Sequence, residues 1–176
     1  MNFREQLLAE LSKQNTVYIA SVIGTNKKLF KEMFDLILTN EEYISGRAAW
    51  VIEHIWLDHP EMIEPYINEM IDFLKISKYD NQKRHFTKIL STRNLNELDE
   101  DHLGILIDRC FTWLEDPIYP TAVKMFSMQI IYNYIETEPA LAPELIAIIE
   151  NQYADSTPGF KNRGDKILKK LYKLTS

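Results

Sequence analysis

Apolar residues recur at the 3.6-residue period of an α-helix in nearly every stretch between breakers of this chain. Between residues 61 and 75 they fall on one side of a helix: Ile63, Ile67, Met70, Ile71 and Leu74. Between residues 47 and 57 they cover more of the circumference, which leaves Glu53 and His54 as the positions predicted to face solvent. No segment shows the apolar–polar alternation of strands joined by hairpin turns. The sequence therefore predicts an all-α fold.

The alternation of a mostly buried helix with an amphipathic one repeats along the chain. Similar segments begin at Arg47, Arg84 and Ala122, which gives spacings of 37 and 38 residues. Pro60 and Pro139 fall at corresponding breaks, where proline can end one helix and enter the first turn of the next. The period predicts one domain, 1–176, with helix pairs at roughly 16–38, 47–75, 82–114 and 121–153 and a C-terminal cap at 160–174.

In this period, these breakers and this alternation of helix types, residues 16 to 174 resemble HEAT-like and armadillo-like repeat proteins. The resemblance implies a right-handed α–α superhelix of about four helix pairs with terminal capping helices. In such a solenoid each pair buries its apolar face only by stacking on its neighbours. The resemblance also implies a non-catalytic protein-binding or scaffold function, with another protein as partner and no cofactor.

Composition limits the alternatives. The net charge is −6 and the pI is near 5.3, which disfavours a dedicated nucleic-acid binder. A single cysteine cannot form an internal disulfide, and charged residues interrupt the first eleven positions, which is unlike a secretory signal. No run approaches the ~20 apolar residues of a membrane-spanning helix. We therefore expect a cytoplasmic protein without a membrane partner.

Three arginines, Arg47, Arg84 and Arg163, recur near the starts of corresponding helices. A row of guanidinium groups could bind carboxylates or phosphates bidentately. Alternatively, each arginine bridges to an acidic side chain or a carbonyl of the adjacent repeat. Trp50 and Trp113 are likewise either packing residues or interface anchors, and the sequence leaves both interpretations open.

The C-terminal segment is strongly basic. It carries Lys161, Arg163, Lys166, Lys169, Lys170 and Lys173 against Asp165 alone. Lys166 and Lys170 are candidate contacts for an acidic partner or for nucleic acid. The same lysines also suit the negative C-terminal end of a helix and the solubility of a solenoid cap.

No catalytic or metal-binding pattern is present in the sequence. His54 and His59 are five residues apart, whereas a helical metal pair requires three or four, and Cys110 lies on an apolar stripe where it should be buried. No Gly-rich phosphate loop, GxSxG elbow or paired cysteine motif occurs. We therefore predict no metal site and nominate no catalytic residue.

Two enzyme classes remain as alternatives. HEAT-like alkylpurine DNA glycosylases use a basic concavity with aromatic residues and an acid, which the basic terminal helix and the tryptophans permit and the net charge disfavours. Adenylosuccinate-lyase-type enzymes carry a Ser-rich loop resembling SSxMPxKxN. No methionine of this chain is followed by proline, so that loop is absent.

Overall fold

The computed structural model describes residues 1–175, which form ten α-helices, four single-turn 3₁₀ helices and no strand. The α-helices are α1 (Phe3–Ala9), α2 (Lys13–Ile23), α3 (Lys27–Leu38), α4 (Ile44–Asp58), α5 (Ile67–Leu74), α6 (Asp80–Leu90), α7 (Glu100–Glu115), α8 (Thr121–Ile135), α9 (Ala142–Tyr153) and α10 (Pro158–Thr175). The prediction of an all-α fold is confirmed. The superhelical arrangement and the single-domain organisation stay predictions.

Short polar side chains begin several of these helices. Ser12 Oγ accepts a hydrogen bond from the backbone N–H of Asn15 at 3.0 Å, and Asn26 and Asp99 cap α3 and α7 in the same way. Each cap satisfies an N–H group that has no partner within its helix. The boundaries of α2, α3 and α7 are thus encoded locally.

Glycine and proline residues mark the breaks between helices. Gly24 ends α2 with a φ of 47°, a left-handed conformation that costs a residue with a Cβ more than it costs glycine. Pro60 and Pro139 each begin a 3₁₀ turn, Pro60–Met62 and Pro139–Leu141. Pro60 directly follows His59, the C-cap of α4, whereas Thr137 and Glu138 separate Pro139 from Glu136, the C-cap of α8. Gly24, Pro60 and Pro139 therefore lie between helices, as predicted.

The chain divides into two compact units, the first spanning Met1–Ile89 and the second beginning at Leu90. Aromatic rings fill the centre of the first unit, where Phe34 stacks on Phe86 with ring centroids 6.1 Å apart and Phe73 meets Phe86 edge-on at 5.9 Å. Tyr66 lies against Phe34 at 4.7 Å. These contacts hold α3, α5 and α6 together, and α4 is buried along Ala48–Ile52 except at Trp50.

In the second unit α8 and α10 run side by side in the same direction. Thr121 contacts Thr157 at the start of both helices, and further along Arg163 Nη1 donates to Gln129 Oε1 at 2.7 Å. Gly164 allows α10 to approach α9 closely, since a Cβ at this position would lie 3.0 Å from Ile149 Cγ2. Parallel packing of corresponding helices is what a helical repeat requires.

Candidate binding groove

A close contact between α4 and α6 sets the geometry of the first unit. A Cβ added to Gly46 would lie 2.9 Å from Asn81 Cβ, so only glycine permits this approach. One turn further along, Trp50 stacks on His85 with centroids 6.2 Å apart and planes 16° from parallel. In each of these two pairs, and in the next contacting pair, Glu53 and Lys88, the partners are 35 residues apart in the sequence. Because this separation is constant, α4 and α6 run in the same direction.

Beside this contact lies a groove of about 350 Å³, which we call the Trp50 groove. Three segments line it: the start of α2, α4 and α6. The lining residues are Leu11, Ser12, Lys13, Gly46, Arg47, Trp50, Asn81, Arg84 and His85. They include three permanently cationic side chains and no acidic one, so this groove is positive although the whole chain is negative.

Arg47 and Arg84 lie on adjacent helices of this groove and differ in how they are held. Arg47 Nη1 donates to the Leu7 carbonyl at 2.6 Å, and its guanidinium lies 5.8 Å from the centroid of the Tyr43 ring. Arg84 is exposed, and its side chain makes no hydrogen bond or ion pair with any residue from 1 to 175. Arg47 is therefore oriented by the fold, whereas Arg84 is available to a ligand.

A buried ion cluster lies behind the Trp50 ring. The Glu53 carboxylate accepts from His85 Nδ1 at 2.5 Å through Oε2 and from Lys88 Nζ through Oε1. Burial opposes ionisation of Glu53, but these two hydrogen bonds outweigh it and lower the pKa of the carboxyl from 4.5 to about 2. Glu53 thus fixes the orientation of the His85 ring on which Trp50 stacks.

The prediction that Glu53 faces solvent is wrong, because this residue is only 5% exposed. It extends from α4 towards α6, where the Lys88 ammonium and the His85 ring both hydrogen-bond its carboxylate. Neighbouring His54 is half-buried, and burial together with the charges of Lys13, Lys88 and His85 lowers its pKa despite the opposing effect of Glu53. Burial is the largest of these causes, so His54 is held towards its neutral form.

The remaining predicted site residues belong to the second unit. Arg163 donates a hydrogen bond to Gln129 in that unit. Of the three predicted arginines, only Arg47 and Arg84 therefore line the same groove. Lys166 and Lys170 are exposed, and the Lys170 ammonium lies 5.0 Å from the centroid of the Tyr132 ring. Trp113 is 2% exposed and therefore packs inside its unit.

Lys13 and His85 line this groove but were not among the predicted binding residues. Lys13 begins α2, and only the packing of α2 near α4 brings it to Arg47 and Trp50. His85 carried a weaker signal, since it lies 35 residues after Trp50, close to the repeat length. The only available sign of a buried ion pair was Glu53, the one acidic residue in the mostly apolar segment 48–57.

Cys110 is fully buried, as predicted, and burial raises the pKa of its thiol to about 12. Among residues 1–175, no three histidine, cysteine, aspartate or glutamate side chains group as metal ligands would. In the same part of the chain, no helix has the length and apolar character needed to cross a membrane. The cytoplasmic location stays a prediction.

Comparison with known proteins agrees with the repeat period. A family model described as a HEAT repeat domain matches residues 3–171, which is nearly the whole chain. Searches of curated proteins and of solved structures returned no match. The resemblance inferred from helix period and breakers is confirmed by the family match, and the chain belongs to the HEAT repeat family.

Proposed function

We propose that this protein is a non-catalytic binding module whose Trp50 groove receives an acidic segment of a partner protein. Family membership supports an interaction role in general terms, since helical repeats commonly present extended binding surfaces. The observation that carries the more specific proposal is Arg84, an exposed and unpaired guanidinium beside Trp50 in a groove without acidic side chains.

The arrangement suits carboxylate recognition. A guanidinium can form two parallel hydrogen bonds with a carboxylate. Besides Arg84 on α6, the groove contains a second guanidinium, that of Arg47 on α4, which is oriented by its hydrogen bond to the Leu7 carbonyl. Trp50 adds an apolar surface that a side chain next to the acidic residue would cover, and tryptophan and arginine are frequent anchors of protein interfaces. A superhelix built from parallel corresponding helices, which we also propose, would extend this surface along the array.

An acidic peptide titration tests the proposal. A labelled hexaglutamate peptide ending in tryptophan is titrated against the full chain, and fluorescence anisotropy is recorded. We expect Arg84→Glu to weaken binding about tenfold or more, because one charge-assisted contact becomes a repulsion. Lys28→Glu makes the same charge change at an exposed site on α3 and should leave the affinity nearly unchanged. Equal affinities of wild type and Arg84→Glu would refute the proposal.

Nucleic-acid binding is a second candidate, because Trp50 lies among cationic groups with a carboxylate behind it. A base could stack on the ring while the arginines contact phosphates. Base excision is not proposed, since Glu53 is buried and both its oxygens already accept hydrogen bonds. A titration with single-stranded oligonucleotide at about 50 and 200 mM salt tests this candidate, since a nucleic-acid site should bind the oligonucleotide and lose affinity steeply over that range.

A further inference from the structure

The second unit carries a groove of opposite character, which we call the Gly104 groove. It has a volume of about 580 Å³ and lies between α7, the end of α8 and the start of α9. Leu103, Ile107 and Phe111 form its floor on one face of α7, and Tyr134 and Leu141 close the far side. Ile107 is buried, and the other four are half-buried, so the floor is apolar but still open to solvent.

The rim of this groove is acidic. Glu100 and Asp108 on α7 and Glu144 on α9 all line the groove, and all three are exposed. Arg109 donates to Asp108 Oδ2 at 2.6 Å and offsets that one carboxylate, but it is not among the lining residues. None of the lining side chains is basic. The rim therefore retains a negative potential over an apolar floor.

A gap in the α7 surface makes the groove accessible. Gly104 is exposed, and no atom lies within 4 Å of the position that a Cβ would occupy. Unlike Gly46 and Gly164, this glycine is not required by packing inside the chain. Without a side chain at this position, a second helix can approach the backbone of α7 closely, as small residues permit at helix–helix contacts.

We propose that the Gly104 groove binds a basic amphipathic helix of a partner protein. A helix that places two or three large apolar side chains at i, i+3 or i+4, and i+7 would cover the floor, as in helix-in-groove recognition. Lysines or arginines beside those anchors would meet Glu100 and Glu144 across the rim, and charge complementarity selects such a partner over an acidic one. The Gly104 groove shares no lining residue with the Trp50 groove, and its charged side chains are acidic instead of basic.

The occupant is a separate partner and not a second copy of this chain. The basic helix of the chain itself, α10, already buries its apolar stripe of Ile167, Leu168 and Leu171 within the second unit. In a second copy, the lysines of α10 would be exposed, but most of its apolar side chains would be buried. The partner helix must expose basic and large apolar side chains together.

The test uses a labelled amphipathic peptide of leucine and lysine, about 18 residues long so that it can form a helix, and a leucine–glutamate peptide of the same pattern. Both are titrated against the full chain by fluorescence anisotropy. We expect the leucine–lysine peptide to bind with salt-sensitive affinity and the leucine–glutamate peptide to bind at least tenfold more weakly.

Variants assign the binding to the groove. Gly104→Leu fills the gap and should weaken binding about tenfold or more without lowering the melting temperature, because leucine is the better helix former. Glu144→Lys should weaken binding several-fold, whereas Glu32→Lys, an equal charge change at an exposed site on α3, should not. Arg84→Glu should leave peptide affinity unchanged, which separates this site from the Trp50 groove.

Three results would overturn the proposal. Gly104→Leu could bind the leucine–lysine peptide as tightly as wild type, or the two peptides could bind equally well. The third is concentration-dependent self-association of the chain, seen by light scattering and lost in Gly104→Leu, which would assign the groove to a second copy instead.

Discussion

Replacing Glu53 by glutamine tests the electrostatic design behind the Trp50 groove. The substitution keeps the size of the side chain and removes the negative charge that accepts hydrogen bonds from His85 and Lys88. The carboxyl pKa is 4.5 in its ordinary state and about 2 in the folded chain. Since one pKa unit corresponds to about 1.4 kcal/mol, the ionised carboxylate contributes about 3 kcal/mol to the free energy of unfolding at pH 7.

The pH dependence follows from the direction of the shift. Because folding lowers this pKa, the contribution is complete above about pH 4.5 and is lost as the pH falls towards 2. Glutamine resembles the protonated acid at every pH. Glu53→Gln should therefore lose about 3 kcal/mol of stability at pH 7 but only about 1 kcal/mol at pH 3.

Urea unfolding followed by circular dichroism at pH 7, 5 and 3 measures these differences. Glu32→Gln is the matched control, because Glu32 is exposed, and it should change stability by less than about 0.5 kcal/mol at each pH. A loss below about 1 kcal/mol at pH 7, or an equal loss at pH 7 and pH 3, would show that desolvation cancels the gain from pairing.

Three further predictions concern packing. Gly104→Ala should raise the free energy of unfolding by about 0.5–1 kcal/mol in urea titrations, because an added methyl group meets nothing and alanine favours the helix. Gly46→Ala should lower it by about 1–3 kcal/mol and weaken acidic-peptide binding, because the new Cβ would lie 2.9 Å from Asn81 Cβ; unchanged stability would contradict the α4–α6 contact. Cys110 should react with a thiol reagent at pH 8 only after denaturant is added, because its burial and a pKa near 12 leave almost no thiolate.

Several features of the fold could be predicted because they depend on neighbours in the sequence. Helical period identifies the apolar face of each helix, and residues such as Gly24 and Pro60 end or separate helices through their own backbone preferences. Burial of Cys110 followed from the same period. The HEAT assignment depended on these local signals recurring at a nearly constant spacing.

The candidate site was only partly predictable. Arg47, Arg84 and Trp50 were selected, but Trp113 is buried and Arg163 belongs to the other unit. The exposure predicted for Glu53 was wrong because an amphipathic pattern describes one helix and cannot identify a cationic neighbour on the next.

The sequence by itself determined that this chain is helical, repetitive and divided at glycine and proline residues, since each of these properties arises within a few consecutive residues. Only the tertiary structure decided that Lys13, Arg47 and Arg84 share a groove while Glu53 is buried behind it. That outcome depends on the lateral register of α4 against α6, which is set by the close contact of Gly46 with Asn81. Gly46 and Asn81 are 35 residues apart, and the sequence around either residue does not identify the other as its contact.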